Sequence, residues 1–170
     1  MNNEQRIKTN KIAIDEDDVK LFFNNRVNKN LPYLINYTNY QDKHPELALE
    51  RDKYEKDRIM PFLNLQPESR ILDIGCGVGR WGNHILKILS NQGMYVGADY
   101  SGNILNLAKN HFRENKNFYF CESSFQDILL NLPGNIKQNN FNVILINGVM
   151  MYINDTDLAQ CMSNLKELIA

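Results

Sequence analysis

The feature that most limits what this chain can fold into is a short apolar run cut off by three closely spaced glycines. Arg70-Ile71-Leu72-Asp73-Ile74 has the length of a buried strand, and Gly75-Cys76-Gly77-Val78-Gly79 follows at once. A helical pattern then runs through Ile85, Leu86, Ile88 and Leu89 to about Asn91-Gln92-Gly93. A strand that turns straight into a helix needs residues free to take positive φ, and a turn without Cβ atoms lets a ligand reach the backbone. Asp73, near the strand's end, is read as a carboxylate beside that turn, where it would favour a bound cation such as an amino group.

The pattern repeats downstream. Met94-Tyr95-Val96-Gly97-Ala98 reads as a second strand, and Ile104, Leu105, Leu107 and Ala108 mark the next helix, with Ser101 as its N-cap. Asn117 to Cys121 is a third strand. Phe125 to Leu132 is a short helix ended by Pro133-Gly134. Phe141 to Ile146 is a fourth strand and Asp155 to Ile169 a closing helix. Strands alternating with helices predict an α/β, Rossmann-like, mostly parallel sheet with helices on both faces. Ligands of such sheets lie in the crevice at the carboxyl ends of the strands.

Residues 1–68 read differently, as a helical N-terminal extension, with residues 69–170 forming the α/β unit. Asp15-Glu16-Asp17-Asp18 suits the start of a helix, and Leu21, Phe22 and Phe23 give it an apolar patch. Pro32 interrupts any long helix after it. Glu46 to Leu63 has a second helical pattern, broken near its end by Pro61. Nineteen basic against twenty acidic residues leave a net charge of −1, which gives no footprint for nucleic acid or an anionic membrane. No apolar run has the length of a membrane span, and the N-terminus lacks the apolar core of a secretory signal. Cys76, Cys121 and Cys161 are too scattered for a disulfide framework or a zinc site, so no metal is expected. A cytoplasmic setting is the expectation.

Gly77-Val78-Gly79-Arg80-Trp81-Gly82 spells the dinucleotide fingerprint G-x-G-x-x-G, but out of frame. Counted from the first glycine after the strand, Gly75, the third glycine falls on Arg80. A nicotinamide cofactor is therefore disfavoured. Asp99, 20 residues after Gly79, stands at the interval where an acidic side chain meets a ribose in related nucleotide folds. A carboxylate accepts from both hydroxyls of a diol; the plainer alternative is a helix cap.

Leu72-Asp73-Ile74-Gly75-Cys76-Gly77-Val78-Gly79 resembles the first motif of the class I S-adenosylmethionine (SAM) dependent methyltransferases, and the resemblance runs from Ile71 to Asn154. It implies SAM as cofactor and S-adenosylhomocysteine as product. It also implies that Asp73, Gly75, Cys76, Gly77 and Gly79 meet the methionine moiety, whose charges suit an acid and bare backbone N–H groups. Asp99 would hold the ribose and Tyr100 flank the adenine. Ser124 stands where the family often has an adenine-binding Asp, followed by Phe125; Ser124 is otherwise a helix cap. Asn147 and Gly148, leaving the fourth strand, would lie beside the methyl-bearing sulfur, with Met150-Met151-Tyr152 as core or acceptor wall. Asn142 replaces the family's usual Asp at a structural position. From the extension, acting as a lid, Tyr40 and Arg51 are candidates to reach the cofactor's carboxylate; the alternative for Arg51 is a surface pairing with Glu55, four residues on. His84 and His111 read as surface or packing residues.

The family's sheet has seven strands in the order 3-2-1-4-5-7-6, and only the first four are present. The edge of strand four then calls for cover by a further C-terminal domain, a second copy or the N-terminal segment. The expectation is a SAM-dependent methyltransferase acting on a small-molecule or sugar-like acceptor. The alternative is a non-catalytic SAM-binding fragment or module acting with a partner chain. No catalytic residue is assigned; Tyr40, His44 and Tyr152 are the candidates for a general base.

Overall fold

A computed structural model describes residues 13–138 and 140–169, so the reading of residues 1–12 lies outside it. Two helices precede the sheet, α1 (Glu16–Arg26) and α2 (Glu46–Ile59). Asp15 caps α1 by accepting from the Asp18 N–H at 3.0 Å. The C-terminal end of α1 is tied down by Arg26, which is buried and donates to the carbonyls of Tyr37 and Asn36 and to Asp42. α2 stops at Ile59, and one 3-10 turn (Met60–Leu63) carries the chain past Pro61.

Four strands follow: β1 (Arg70–Ile74), β2 (Met94–Asp99), β3 (Phe118–Glu122) and β4 (Val143–Ile146). They form one all-parallel sheet in the order β3-β2-β1-β4, the first four places of the expected seven-strand order. Alternate residues face opposite sides. Leu72, Ile74, Val96 and Ala98 pack with Phe125, Ile128, Leu132, Ile136, Cys161 and Leu168 on one face. On the other, Ile71 and Tyr95 pack with Trp81, Ile85, Phe112 and Phe118. There the Tyr95, Phe118 and Phe112 rings stack in turn at 4.7 and 5.0 Å. Asn142 acts structurally, its side chain accepting from the Arg70 N–H at 2.9 Å and its own N–H donating to Arg70 O. Beyond β4, Ile169 makes one parallel bridge to Phe141.

The remaining helices differ from expectation in length. α3 is only Gly82–Ile85; beyond it Lys87 and Ile88 bond three residues back, and Ser90 turns to the Pro67 carbonyl. α4 (Gly102–His111) is capped by Ser101 as predicted. α5 is Ile128–Asn131, shorter than the predicted Phe125–Leu132; the residues before it form a turn in which Ser124 Oγ accepts the Asp127 N–H at 3.1 Å. Pro133-Gly134 does not only stop a helix; it starts another, α6 (Gly134–Lys137), since proline suits the first positions of a helix. α7 (Asp155–Leu168) closes the chain. Among the described residues no helix is long and apolar enough to cross a membrane, and no cluster of side chains is arranged to hold a metal.

Candidate active site

A cavity of about 320 Å³ opens at the carboxyl ends of β1, β2 and β4, under residues of α1 and the segment before α2. That is within the ~300–1,000 Å³ of small-molecule sites. Of the residues singled out from sequence, Gly75, Cys76, Gly77, Asp99, Tyr100, Ser124, Phe125, Asn147, Gly148, Tyr40 and Arg51 all line it. Asp73 and Gly79 do not.

Asp73 is corrected by strand parity. It faces the side of Ile71, is 1% exposed, and its Oδ2 accepts from the Tyr95 hydroxyl at 2.6 Å. Burial pushes its carboxyl up to about 7, so it is a core acid and not a carboxylate at the cavity wall. Gly79 serves packing. At φ +76° a Cβ there would meet Phe112 Cε2 at 2.5 Å.

The glycine turn is not a row of bare donors either. The N–H groups of Gly75 and Cys76 both donate to Ala98 O, at 2.7 and 3.0 Å, and that of Gly77 donates to Asp99 Oδ2 at 2.8 Å. The turn is thus sewn to the tip of β2 and offers the cavity surface more than hydrogen bonds. At Gly77, φ is +56° and a Cβ would meet Thr38 Cγ2 at 2.5 Å, so the N-terminal segment also needs this position bare.

Asp99 sits 8% exposed, its other oxygen accepting from the Ser101 N–H at 2.9 Å. Burial raises its carboxyl to about 6, against the opposing pull of those two backbone N–H groups. It takes one bond at the start of α4, but Ser101 is the cap, and each Asp99 oxygen keeps a free lone pair. Tyr100 lines the wall with its hydroxyl buried and, among the described residues, without a hydrogen-bond partner; the same holds for Asn39 Nδ2. Ser124 closes the turn before α5 and is not the N-cap of that helix, donating to Asp127 Oδ2 and accepting from the Asp127 N–H. Cys76 is buried, which pushes its thiol well up.

Over the opening, Phe23 of α1 stands edge-on to Tyr100 at 6.5 Å and to Tyr152 at 5.8 Å. Tyr152 and Tyr40 share a hydrogen bond, and burial raises the Tyr152 hydroxyl to about 12. Of the three candidates for a general base, Tyr40 and Tyr152 line the wall, and His44 is exposed and outside it. Arg51 pairs with Glu55 at 2.7 Å, four residues on.

Several lining residues were not legible as such, among them Glu16, Thr38, Asn39, Gln126 and Arg80. Arg80 is 10% exposed and bonds Asp52 (2.9 Å) and Glu55 (2.5 Å) of α2 and Asn147 Oδ1 (3.2 Å) beyond β4. From sequence it was noticed only as the residue that breaks the dinucleotide fingerprint. A basic residue directly after the glycine turn, with Asp52 and Glu55 three apart on one helix face, was the available signal.

A family described as "Methyltransferase domain" matches residues 65–170 by its sequence profile. The chain belongs to this methyltransferase family. The demethylmenaquinone methyltransferase of Staphylococcus saprophyticus is 26% identical over 100 residues, covering 59% of this methyltransferase chain and 40% of that enzyme. The enzyme of the same name from Bacillus cereus is 32% identical over 63 residues, 37% of this chain and 27% of that one. The matches therefore span well under half the length of these curated relatives. Among solved structures, phosphoethanolamine N-methyltransferase 1 of Haemonchus contortus, bound to phosphoethanolamine and S-adenosylhomocysteine, superposes with TM-score 0.66 at 14% identity over 91% of this chain and 30% of that one. Magnesium protoporphyrin IX methyltransferase of Synechocystis, with SAM bound, gives 0.62 at 18% identity over 95% and 74%. At these identities the likeness is one of fold.

Proposed function

We propose that the cavity binds SAM and that the chain, as a whole enzyme or its cofactor-binding part, serves methyl transfer to a small-molecule acceptor. The observation that carries this is Asp99, nearly buried at the tip of β2, with free lone pairs beside a cavity of the right size. The wall fits the parts of that nucleoside. Asp99 would take the ribose diol. Tyr100, Ile104 and Phe125 offer apolar surface for the adenine, and the orphaned Tyr100 hydroxyl and Asn39 amide would each gain a polar partner. The glycine turn gives close approach for the methionine part. Arg51 and Arg80, with Tyr40, supply positive charge and a hydroxyl for its carboxylate.

Bound SAM supplies an electrophilic methyl, whose bond to sulfur breaks as the acceptor's electron pair closes on it, the sulfur leaving as a neutral thioether. The residues on the page position and enclose. Residues 1–68 act as a lid, with Phe23, Tyr40 and Tyr152 closing over the cavity and excluding water. Phe23, Val149, Met151, Tyr152 and Ile153 give the wall an apolar stretch beside the polar Glu16, Gln41 and Gln126, so the acceptor in this reading is a small molecule with both apolar and polar parts. The rest of β4's outer edge is covered, in this reading, by a second copy or by further chain, which sedimentation would reveal.

Calorimetric titration with SAM and S-adenosylhomocysteine tests the reading, followed by methyl release on small acceptors. Binding of both with turnover is expected. Binding without any turnover makes the chain a SAM-binding module, and absence of binding overturns the proposal.

A further inference from the structure

Asn154 stands at the N-cap position of α7, a place where Asn favours bonding back to its own helix. Among the described residues its side chain makes no such capping bond. It reaches instead to the chain just ahead of α1, 140 positions away. Its Oδ1 accepts from the Ile14 N–H at 2.8 Å and its Nδ2 donates to the Ile14 carbonyl at 3.1 Å, so one amide pairs with both backbone groups of one residue. The same Nδ2 lies 3.5 Å from Glu16 Oε1, which also accepts from Gln126 Nε2 at 2.8 Å. Gln126 is itself anchored, its carbonyl accepting from the buried Asn164 of α7 at 2.7 Å.

α1 is thus a bar laid across the cavity and fastened differently at its two ends. It turns Glu16, Val19 and Phe23 toward the cavity, on one helical stripe. At the far end Arg26 is 2% exposed, donates to the carbonyls of Asn36 and Tyr37 and to Asp42, and lies 5.6 and 5.4 Å from the centres of the Phe22 and Tyr40 rings. Bonds from a buried guanidinium are harder to break than those of a part-buried amide. Between the ends lie an exposed ion pair, Lys20 to Glu122, and the bonds of Asn24 to Ser101 and Asn103, close to the Arg26 end.

We propose that Asn154 is the catch of this bar: α1 swings out from its Ile14 end, turning about Arg26, and the clasp on Ile14 sets how often the cavity opens. The choice of ligand in the test rests on the SAM reading above; the motion itself does not. Neither Ile14 nor Asn154 lines the cavity, so a bound molecule displaces none of their bonds. The clasp therefore holds the free and the occupied chain shut by the same amount. Weakening it raises entry and exit by one factor and leaves the dissociation constant where it was. A residue that touched the ligand would change that constant instead.

Two variants separate a catch from a helix cap. Asn154→Ala removes the side chain. Asn154→Ser keeps a good capping residue, but its single oxygen cannot pair with both backbone groups of Ile14. Hydrogen exchange is followed first, on the full chain without ligand. The amides of α1 are expected to exchange about tenfold faster in both variants, as the loss of two part-buried hydrogen bonds at the weaker end of their range would give, while those of residues 27–42 and of α7 do not speed up. Labelled S-adenosylhomocysteine, chased with unlabelled compound, is expected to leave about tenfold faster, with a dissociation constant by calorimetry within about twofold of the parent's. Unchanged exchange in α1 would overturn the proposal. So would faster exchange in the first turn of α7 that appears in Asn154→Ala and is cured in Asn154→Ser, the mark of a cap, or faster exchange running on through residues 27–42, which removes the hinge from Arg26. A dissociation constant that weakens in step with release overturns it too, since Asn154 would then serve affinity and not passage. If the parent chain binds no S-adenosylhomocysteine, the SAM reading fails, and the exchange rates alone decide for or against the catch.

Discussion

Asp99 Oδ2 accepts the Gly77 N–H at 2.8 Å, so the acid at the tip of β2 fastens the glycine turn that follows β1. One carboxylate therefore shapes the floor of the cavity and faces its contents. Replacing it with alanine removes both roles. Asp99→Ala should weaken S-adenosylhomocysteine binding by ten- to a hundredfold, about the ~1.5–3 kcal/mol of a hydrogen bond to a charged group. Unchanged affinity by calorimetry would mean that the ribose lies elsewhere.

The same acid sets a pH dependence of binding. With its carboxyl raised to about 6, Asp99 ionises between pH 5 and 7, and only the ionised form accepts with both oxygens. Affinity for S-adenosylhomocysteine should climb over that interval and level off above it. In Asp99→Asn the curve should be flat.

Stability should run the other way, through Asp73. Its carboxyl is raised from an ordinary 3.8 to about 7 by burial, so the folded chain holds this proton more tightly than the unfolded one. The folded state binds the extra proton between about pH 4 and 7. The stability it confers is full below pH 4 and fades as pH rises through 7. Asn at this position still accepts from the Tyr95 hydroxyl, so Asp73→Asn should melt with a flatter pH profile and gain most, relative to the parent, near pH 8. Melting curves from pH 5 to 8 read this directly.

Gly77→Ala meets two separate penalties, a positive φ and the methyl of Thr38. Together they should cost about 1–3 kcal/mol in denaturant unfolding. Adding Thr38→Ala removes the contact but not the backbone strain, so the double variant should recover only part. Full recovery would show that φ at Gly77 costs nothing.

Asp52 holds both Arg80 and Lys56, two cations that are 10% and 4% exposed. Asp52→Ala leaves the buried Lys56 without its carboxylate and Arg80 with Glu55 as its one remaining acid among these contacts, and a loss of about 3 kcal/mol is expected. A double-mutant cycle with Arg80→Met should show coupling, because Asp52 bonds both cations.

The strands were legible because each is an apolar run bounded by glycine or a polar turn, and their alternation with helical periods implied a parallel sheet; the strand order was implied by the family resemblance alone. The cavity was legible for the same reason: Gly75, Gly77, Asp99, Tyr100, Asn147 and Gly148 all follow strand ends, and strand ends converge in a parallel sheet. Asp73 was misplaced although the signal was present, since it shares parity with Ile71 and not with Ile74. The helix after β1 came out shorter because Ser90 turns to the Pro67 carbonyl, 23 positions back, a partner no helical period encodes. Arg80 was not legible as a clamp. Its partners lie 28, 25 and 67 positions away, and no local pattern encodes such distances.

Those separations also fix an order of assembly. Gly77 and Asp99 are 22 positions apart and meet as soon as two neighbouring strands exist. Asn147 reaches Arg80 across 67 positions, and β1 must wait for β4 until nearly all of the sheet has been synthesised. A nascent chain leaving the ribosome can therefore join Gly77 to Asp99 before the wall made by Asn147 and Arg80 exists.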